Sequence, residues 1–354
     1  MQKRLLNILC CPVCGADLTA VTVDAGPNDS IRNGRLECPC GETFPIIGSV
    51  PRLLIGDLRA QALGSVQNQP ATGGSCQASV NRSSKDVAAR TVLHTQASFG
   101  YEWTEFNRYA VDNFSLFIKP LGEGFFAGKL GLDVGCGAGR HAQQAATLGA
   151  QIIGMDLSQA VDVAVRRDPE ERTTQFVQAD IRRAPFRQAS FDFIYSLGVL
   201  HHLPDPEEGF RGLMPLLKPG AVIFIWVYQR TTRKELLEHA RRVTTRLPLW
   251  LAKGVAWFAT VLDYGVFVNA YRLFRRLAVV EQYAPLRIKE YAGYDFYASY
   301  TDWFDRLAAP VSHSYSEEEM LGWFRRAGLA EIETTLVGDS WVWAKGRKAG
   351  SCTS

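Results

Sequence analysis

The sequence predicts an α/β fold: a parallel sheet covered on both faces by helices, preceded by a small cysteine-bearing head. Three observations carry this reading. From about residue 96 onward, short apolar runs alternate with helical patterns. Those runs are continuously apolar, as strands buried on both faces are. Five of the eight cysteines fall within the first forty residues, where no such alternation exists.

The head, residues 1–56, comes first. Cys11-Pro12-Val13-Cys14 is a C-x-x-C knuckle, and 23 residues separate it from Cys38-Pro39-Cys40. Two cysteine pairs so spaced read as a zinc ribbon, with Cys11, Cys14, Cys38 and Cys40 as ligands. The second pair is one residue short. That tightens its turn without removing a ligand, and Cys10 beside Cys11 is a substitute donor. Four thiolates close a tetrahedral zinc and leave no open position for water or substrate, so the metal is structural. Cysteines clustered this way suit a reducing compartment and a cytoplasmic protein. Residues 57–95 are polar and rich in Gly, Ser, Gln and Ala, without a sustained period. They read as a flexible linker, with Cys76 an incidental exposed thiol.

The main region spans 96–348. "KLGLDVG" is a buried strand, "RHAQQAATLG" a helix stopped by Gly149, and "QIIGMD" a strand. "SQAVDVAVRR" is a helix, while "TQFVQAD" and "FDFIYS" are strands. "DPEEGFRGLMPLLKPG" reads as one helix ending at Pro219-Gly220, followed by the apolar strand "AVIFIWVY". Near the end, Ser316 and Glu319 form a capping box for "SYSEEEMLGWFRRAGL". "AEIETTLV" and "SWVWAKG" then pair as a hairpin across Gly338-Asp339.

Residues 230–310 are an insertion that reads as a helical lid. From Arg230 to Glu290 there are twelve Lys/Arg against five Asp/Glu, a local +7 in a chain of net charge +3. Its aromatics, Trp250, Trp257 and Phe258 among them, are expected to line a substrate pocket or touch a membrane surface. Arg241, Arg242, Arg275 and Arg276 are expected to meet an acidic group. No apolar run appears long enough to span a membrane, and the basic N-terminus lacks the apolar length of a signal peptide. The modest net charge argues against nucleic acid as a partner.

"LDVGCGAGRHA" joins the first strand of the main region to its helix. Glycines there let a ligand approach the backbone, and the helix N-terminus offers free N–H groups. A dinucleotide fingerprint would need glycine at position 140, which is Arg; the glycines are Gly135, Gly137 and Gly139, with Asp133 before them. This pattern resembles motif I of class I S-adenosylmethionine-dependent methyltransferases. Asp156, 21 residues after Gly135, stands where that family places an acid on the ribose. Asp180 and Ile181 stand where it reads the adenine. "FDFIYSLGVLHHLPDPEEGFRGLMPLLKPGAVIFIW" is similar to the ubiquinone/menaquinone branch.

The resemblance implies a Rossmann-like seven-stranded sheet. It implies a cofactor set of Asp133, Gly135, Cys136, Gly137, Gly139, Asp156, Leu157, Asp180, Ile181, Ser196 and Leu197. "SFGYEWTEFN" resembles the segment covering the cofactor, which places Tyr101 and Trp103, with Tyr228, at the substrate. His201, His202 and His313 are the candidate bases, needed only if the acceptor carries a proton of high pKa. The head resembles the small zinc-ribbon activator of tRNA and protein methyltransferases. The expected activity is methyl transfer to a small or carrier-linked metabolite, at O, N or C. The alternatives are an RNA base methyltransferase with a zinc-binding head, and a non-enzymatic binding module.

Overall fold

The structure is a computed structural model and describes residues 1–26, 30–67, 84–106, 113–168, 173–337 and 340–350. The head is an antiparallel sheet of β1 (Thr19–Ala25), β2 (Ile31–Glu37), β3 (Thr43–Ile47) and β4 (Val50–Pro51), in that order. Two helices follow, α1 (Gly56–Gln67) and α2 (Ser84–Glu105), then a single turn, α3 (Phe114–Phe117). The main region runs β5 (Leu130–Val134), α4 (Arg140–Thr147), β6 (Gln151–Asp156), α5 (Ala160–Arg167), β7 (Thr174–Gln178), β8 (Phe191–Leu197), α6 (Pro206–Leu213) and β9 (Leu217–Tyr228). The insertion is helical throughout: α7 (Thr232–Thr244), α8 (Leu249–Leu262), a π-helical turn (Asp263–Val268), α9 (Asn269–Phe274), α10 (Ala278–Tyr283), α11 (Leu286–Tyr291) and α12 (Phe296–Ala308). Last come α13 (Glu317–Arg326), β10 (Leu329–Val337) and β11 (Trp341–Lys348).

The seven main strands form one sheet in the order β10-β11-β9-β8-β5-β6-β7. The five from β9 to β7 are parallel, and β11 runs antiparallel to both its neighbours. Their apolar runs are buried: all five residues of β7, and seven consecutive residues from Ala221 to Val227 of β9. The α13 capping box forms in both directions, the Glu319 N–H donating to Ser316 Oγ (3.2 Å) and the Ser316 N–H to Glu319 Oε2 (2.7 Å).

Three expectations need correction. The helix before β9 does not reach Pro219-Gly220. It ends at Leu213, and β9 already begins at Leu217. Gly220, at φ +77°, lets the chain absorb the irregular register against β8 and so carries the proline inside the strand. Second, 57–95 is not linker-like at its described ends, which are α1 and α2. Each has too few apolar residues to show a clear period, but Leu58, Ala62, Val92 and Leu93 pack with Leu54 and Leu157. Cys76 lies outside the described residues. Third, α8, the π turn and α9 run on as one 26-residue helix, Leu249–Phe274, which is long and apolar enough to cross a membrane. Lys253 and Asp263 break the sequence run, but both turn onto the protein.

The head does not stand apart. It seats on β7, the last strand of the large sheet. Arg52 bridges to Gln178 in parallel, and the Leu53 N–H donates to the Gln178 carbonyl (2.9 Å). On the other side Leu9 bridges to Phe186, and the Cys10 N–H donates to the Pro185 carbonyl (2.9 Å). An exposed edge strand would template aggregation; here the head covers it. Leu5, Leu9, Leu36 and Phe44 join Val177, Ala179 and Phe186 in one hydrophobic core. Arg52 is 2% exposed; its guanidinium donates to Gln178 Oε1 (3.0 Å) and pairs with Asp162 of α5. Asp162 is 29% exposed, so removing Arg52 chiefly leaves the buried Gln178 amide oxygen without its donor. Arg52→Ala is therefore expected to cost about 1–3 kcal/mol of unfolding free energy, measured by urea denaturation.

Candidate active site

Two constellations hold chemistry. The first is in the head. The Sγ atoms of Cys11, Cys14, Cys38 and Cys40 all lie within 4.8 Å of one another. The measured pairs are Cys11–Cys40 at 3.9 Å, Cys14–Cys38 at 3.4 Å and Cys38–Cys40 at 3.2 Å. Tetrahedral zinc with Zn–S near 2.3 Å sets its sulfurs ~3.8 Å apart, so this donor set fits the metal. The short C-x-C turn reaches because Gly41 adopts φ +91°. Cys10 is not in the cluster and lies near Arg187 and Asp17. The thiols act on one another: the Glu42 N–H and then the Cys38 thiol hold the Cys40 thiol down, while Cys38, lowered by the Cys40 N–H, is pushed up on balance by burial and the neighbouring thiols.

The second is a cavity of about 280 Å³ at the carboxyl ends of β5, β6, β8 and β9. One wall is the glycine loop. Gly137, at φ +51°, donates its N–H to Asp156 Oδ2 (2.9 Å), and a Cβ there would come within 3.1 Å of the Trp103 indole. A side chain at Gly139 would strike Ala164 and Phe176, so this glycine lets α4 start close to the sheet. Asp156 Oδ1 accepts from the Ser158 N–H (2.8 Å) and hydroxyl (2.7 Å). The Leu157 carbonyl accepts from Gln178 (3.1 Å) and Gln96 (3.2 Å).

Of the expected cofactor residues, Gly135, Cys136, Gly137, Asp156, Leu157, Asp180, Ile181 and Leu197 line this cavity. Asp133, Gly139 and Ser196 sit behind it. Burial pushes the Asp133 carboxyl up to about 8, with the Tyr195 hydroxyl beside it, and the Ser196 hydroxyl donates to the Val134 carbonyl (3.0 Å). Trp103, Tyr228 and His202 line the cavity. Tyr101 packs on Phe304 instead. His201 is fully buried, its ring 4.1 Å from those of His202 and Tyr228. The His313 N–H donates to the His201 carbonyl, and its imidazole lies outside the cavity lining.

The insertion builds the opposite wall, though not with the expected residues. Trp250, Trp257 and Phe258 face outward, 69%, 51% and 60% exposed. The wall is Arg287, Glu290, Tyr291 and Tyr294, with Asp302, Asp305 and Arg306 of α12. Sequence reasoning missed these. A signal existed: Asp302, Asp305 and Arg306 recur at helical spacing among apolar and aromatic residues of α12. Glu102 of α2 adds a carboxyl that is 3% exposed and faces the same space; burial, then Asp305 and Asp302, push it well up.

Residues 132–225 match the methyltransferase-domain family, and residues 2–49 match Trm112p-like proteins. A ubiquinone biosynthesis O-methyltransferase of Nitrosococcus oceani is 31% identical over 170 residues, covering 42% of this chain and 72% of its own length. This chain belongs to the S-adenosylmethionine-dependent methyltransferases. The enzyme of the same name from Albidiferax ferrireducens is 36% identical to this methyltransferase over 115 residues, 31% of this chain and 46% of the relative. The chain spans about half the length of the first curated relatives it matches. Among solved structures, phosphoethanolamine N-methyltransferase 2 of Haemonchus contortus in complex with S-adenosyl-L-methionine is 18% identical, with a TM-score of 0.44. It covers 76% of this methyltransferase, which covers 60% of it.

Two outcomes are expected from this geometry. Elemental analysis should find about one zinc per chain, lost in Cys11→Ser/Cys14→Ser, with thermal stability falling alongside. Calorimetry with S-adenosylmethionine should show binding abolished in Gly137→Val, where a branched side chain meets Trp103 and a positive φ, and at least tenfold weaker in Asp156→Ala.

Proposed function

We propose that this methyltransferase moves the methyl group of S-adenosylmethionine onto a hydroxyl of a small or carrier-linked metabolite. The observation that carries the reading is the group His202, Asp305 and Tyr228, which faces the glycine loop across one cavity. The name of the Nitrosococcus relative, an O-methyltransferase, supports an oxygen acceptor. Independently of the reaction, the exposed apolar residues concentrate in the insertion, which supports peripheral membrane contact there.

The residues present fit the cofactor: a loop that a Cβ would fill at Gly137, a carboxylate ending β6, and an apolar floor. Asp156 would hold the ribose hydroxyls, Leu157, Asp180 and Ile181 the adenine, and Arg140 the carboxylate. When bound, S-adenosylmethionine supplies a methyl already activated on a sulfonium. The chain's own work is alignment and removal of the acceptor's proton.

His202 is built for that proton. Its Nδ1 lies 2.6 Å from the Val311 carbonyl. A carbonyl only accepts, so Nδ1 carries the hydrogen and Nε2 keeps its lone pair. Burial holds the imidazole below its ordinary pKa, so it is neutral at pH 7. Nε2 is 4.0 Å from Asp305 Oδ1, and the Tyr228 hydroxyl donates to Asp305 Oδ2 (2.8 Å). A proton taken at Nε2 makes an imidazolium opposite a carboxylate already fixed in place.

The test follows transfer of labelled methyl into a small-molecule extract of producing cells. His202→Gln should lower the rate about 10²–10⁴-fold and leave S-adenosylmethionine affinity unchanged. The rate of the unaltered protein should fall as pH drops through the folded-state His202 pKa, because the free base is lost. An unchanged rate in His202→Gln removes the base, and no labelled product from the unaltered protein removes the reaction.

A further inference from the structure

The 26-residue helix from Leu249 to Phe274 carries three charged side chains, and the structure ties each to the protein. Lys253 Nζ donates to Glu105 Oε2 (2.6 Å). Asp263 pairs with buried Arg287 and accepts from the Trp303 indole N–H (2.9 Å). Arg272 donates to the carbonyls of Ala292 and Tyr294 (3.0 and 2.7 Å). The side of the helix away from the protein is left without charge. It presents Trp250, Trp257, Phe258, Val266, Phe267 and Leu273, all exposed. Isolated exposed apolar residues need no explanation; a contiguous band along one helix does.

The ends are basic. Arg242 and Arg246 precede the helix, and Arg275 and Arg276 follow it. All four are exposed, and none enters a salt bridge among the described residues. At 1.5 Å per residue the band is about 39 Å long. Its inner side is held along this length: the Tyr300 hydroxyl donates to the Lys253 carbonyl (3.1 Å), and Asp263 and Arg272 are fixed further on. A helix docked lengthwise lies flat and does not span.

We propose that this band is a docking surface for an anionic lipid bilayer. The apolar ridge enters the acyl boundary, Trp250 and Trp257 settle at headgroup level, and the four arginines at the two ends meet lipid phosphates. A second copy of the chain fits poorly. Any two-fold pairing of the helix sets arginine ends against arginine ends, and like charges there repel. The surface adjoins the cavity through one ion pair: Asp263 lies on the docked helix, and its partner Arg287 lines the cavity. Its use, presenting a lipid-linked acceptor, rests on the methyl-transfer reading; the docking itself does not.

The test is flotation of the full chain with vesicles of equal parts phosphatidylglycerol and phosphatidylcholine, beside vesicles of phosphatidylcholine alone. The protein should float with the anionic vesicles, and added salt should weaken it. Trp257→Ser/Phe258→Ser/Phe267→Ser should lower partitioning at least tenfold, and Arg275→Glu/Arg276→Glu about tenfold. Both variants should keep S-adenosylmethionine binding by calorimetry, which shows that they fold. The proposal is overturned if the native chain stays unbound, or if the triple variant floats equally well. It is equally overturned if the band proves to be a dimer interface: native dimers by sedimentation, monomers in the triple variant, and no vesicle binding by either. Loss of S-adenosylmethionine binding in the native protein would count against the methyl-transfer reading alone.

Discussion

A buried guanidinium ties the head of this molecule to its large sheet. Arg52 leaves the head, passes Gln178 at the end of β7 and reaches Asp162 of α5. Its burial would be costly were both partners not in place. Gln178 spends its other end on the Leu157 carbonyl, and Leu157 lines the cofactor cavity. Gln96 of α2 reaches the same carbonyl. Head, sheet edge and covering helix thus meet at one backbone oxygen beside the glycine loop. The cysteine cluster lies apart from this chain of contacts, at the turn between β2 and β3 and the loop before β1.

What the sequence made legible were features written locally. The apolar runs of β5 to β9 name themselves because both faces of a parallel strand are buried. Gly135, Gly137 and Gly139 are recognisable because each needs a backbone that other residues resist. The cysteine spacing is legible because four ligands must converge on one point. The shortened knuckle converges too, through a single left-handed glycine. The rest is written across long distances. His202 and His201 are neighbours in sequence, yet only His202 meets the Val311 carbonyl, 109 residues away. Helices α1 and α2 looked like a linker because their few apolar side chains show no period within either helix and find their partners in the other helix, in Leu54 and in Leu157.

The insertion shows how one segment serves two solvents. Its last helix turns Asp302, Asp305 and Arg306 into the cavity, where burial raises the Asp302 carboxyl against the pull of Arg306. Burial would raise the Asp263 carboxyl, but Arg287 and Trp303 outweigh it and hold it below its usual range. The π-helical turn sits where this carboxylate leaves the outer band. One wider turn offsets the face that follows it, a device often found where a helix changes its role.

The union of head and sheet edge also sets an order of events in synthesis. Arg52 is made first, and Gln178 follows 126 residues later. At the usual pace of translation that interval is on the order of ten seconds. During it Leu5, Leu9, Leu36 and Phe44 have no Val177 or Phe186 to cover them. The nascent head must wait with an apolar face bare, longer than most small domains take to fold. These side chains are thus made early and covered late, after the glycine loop itself has been synthesised.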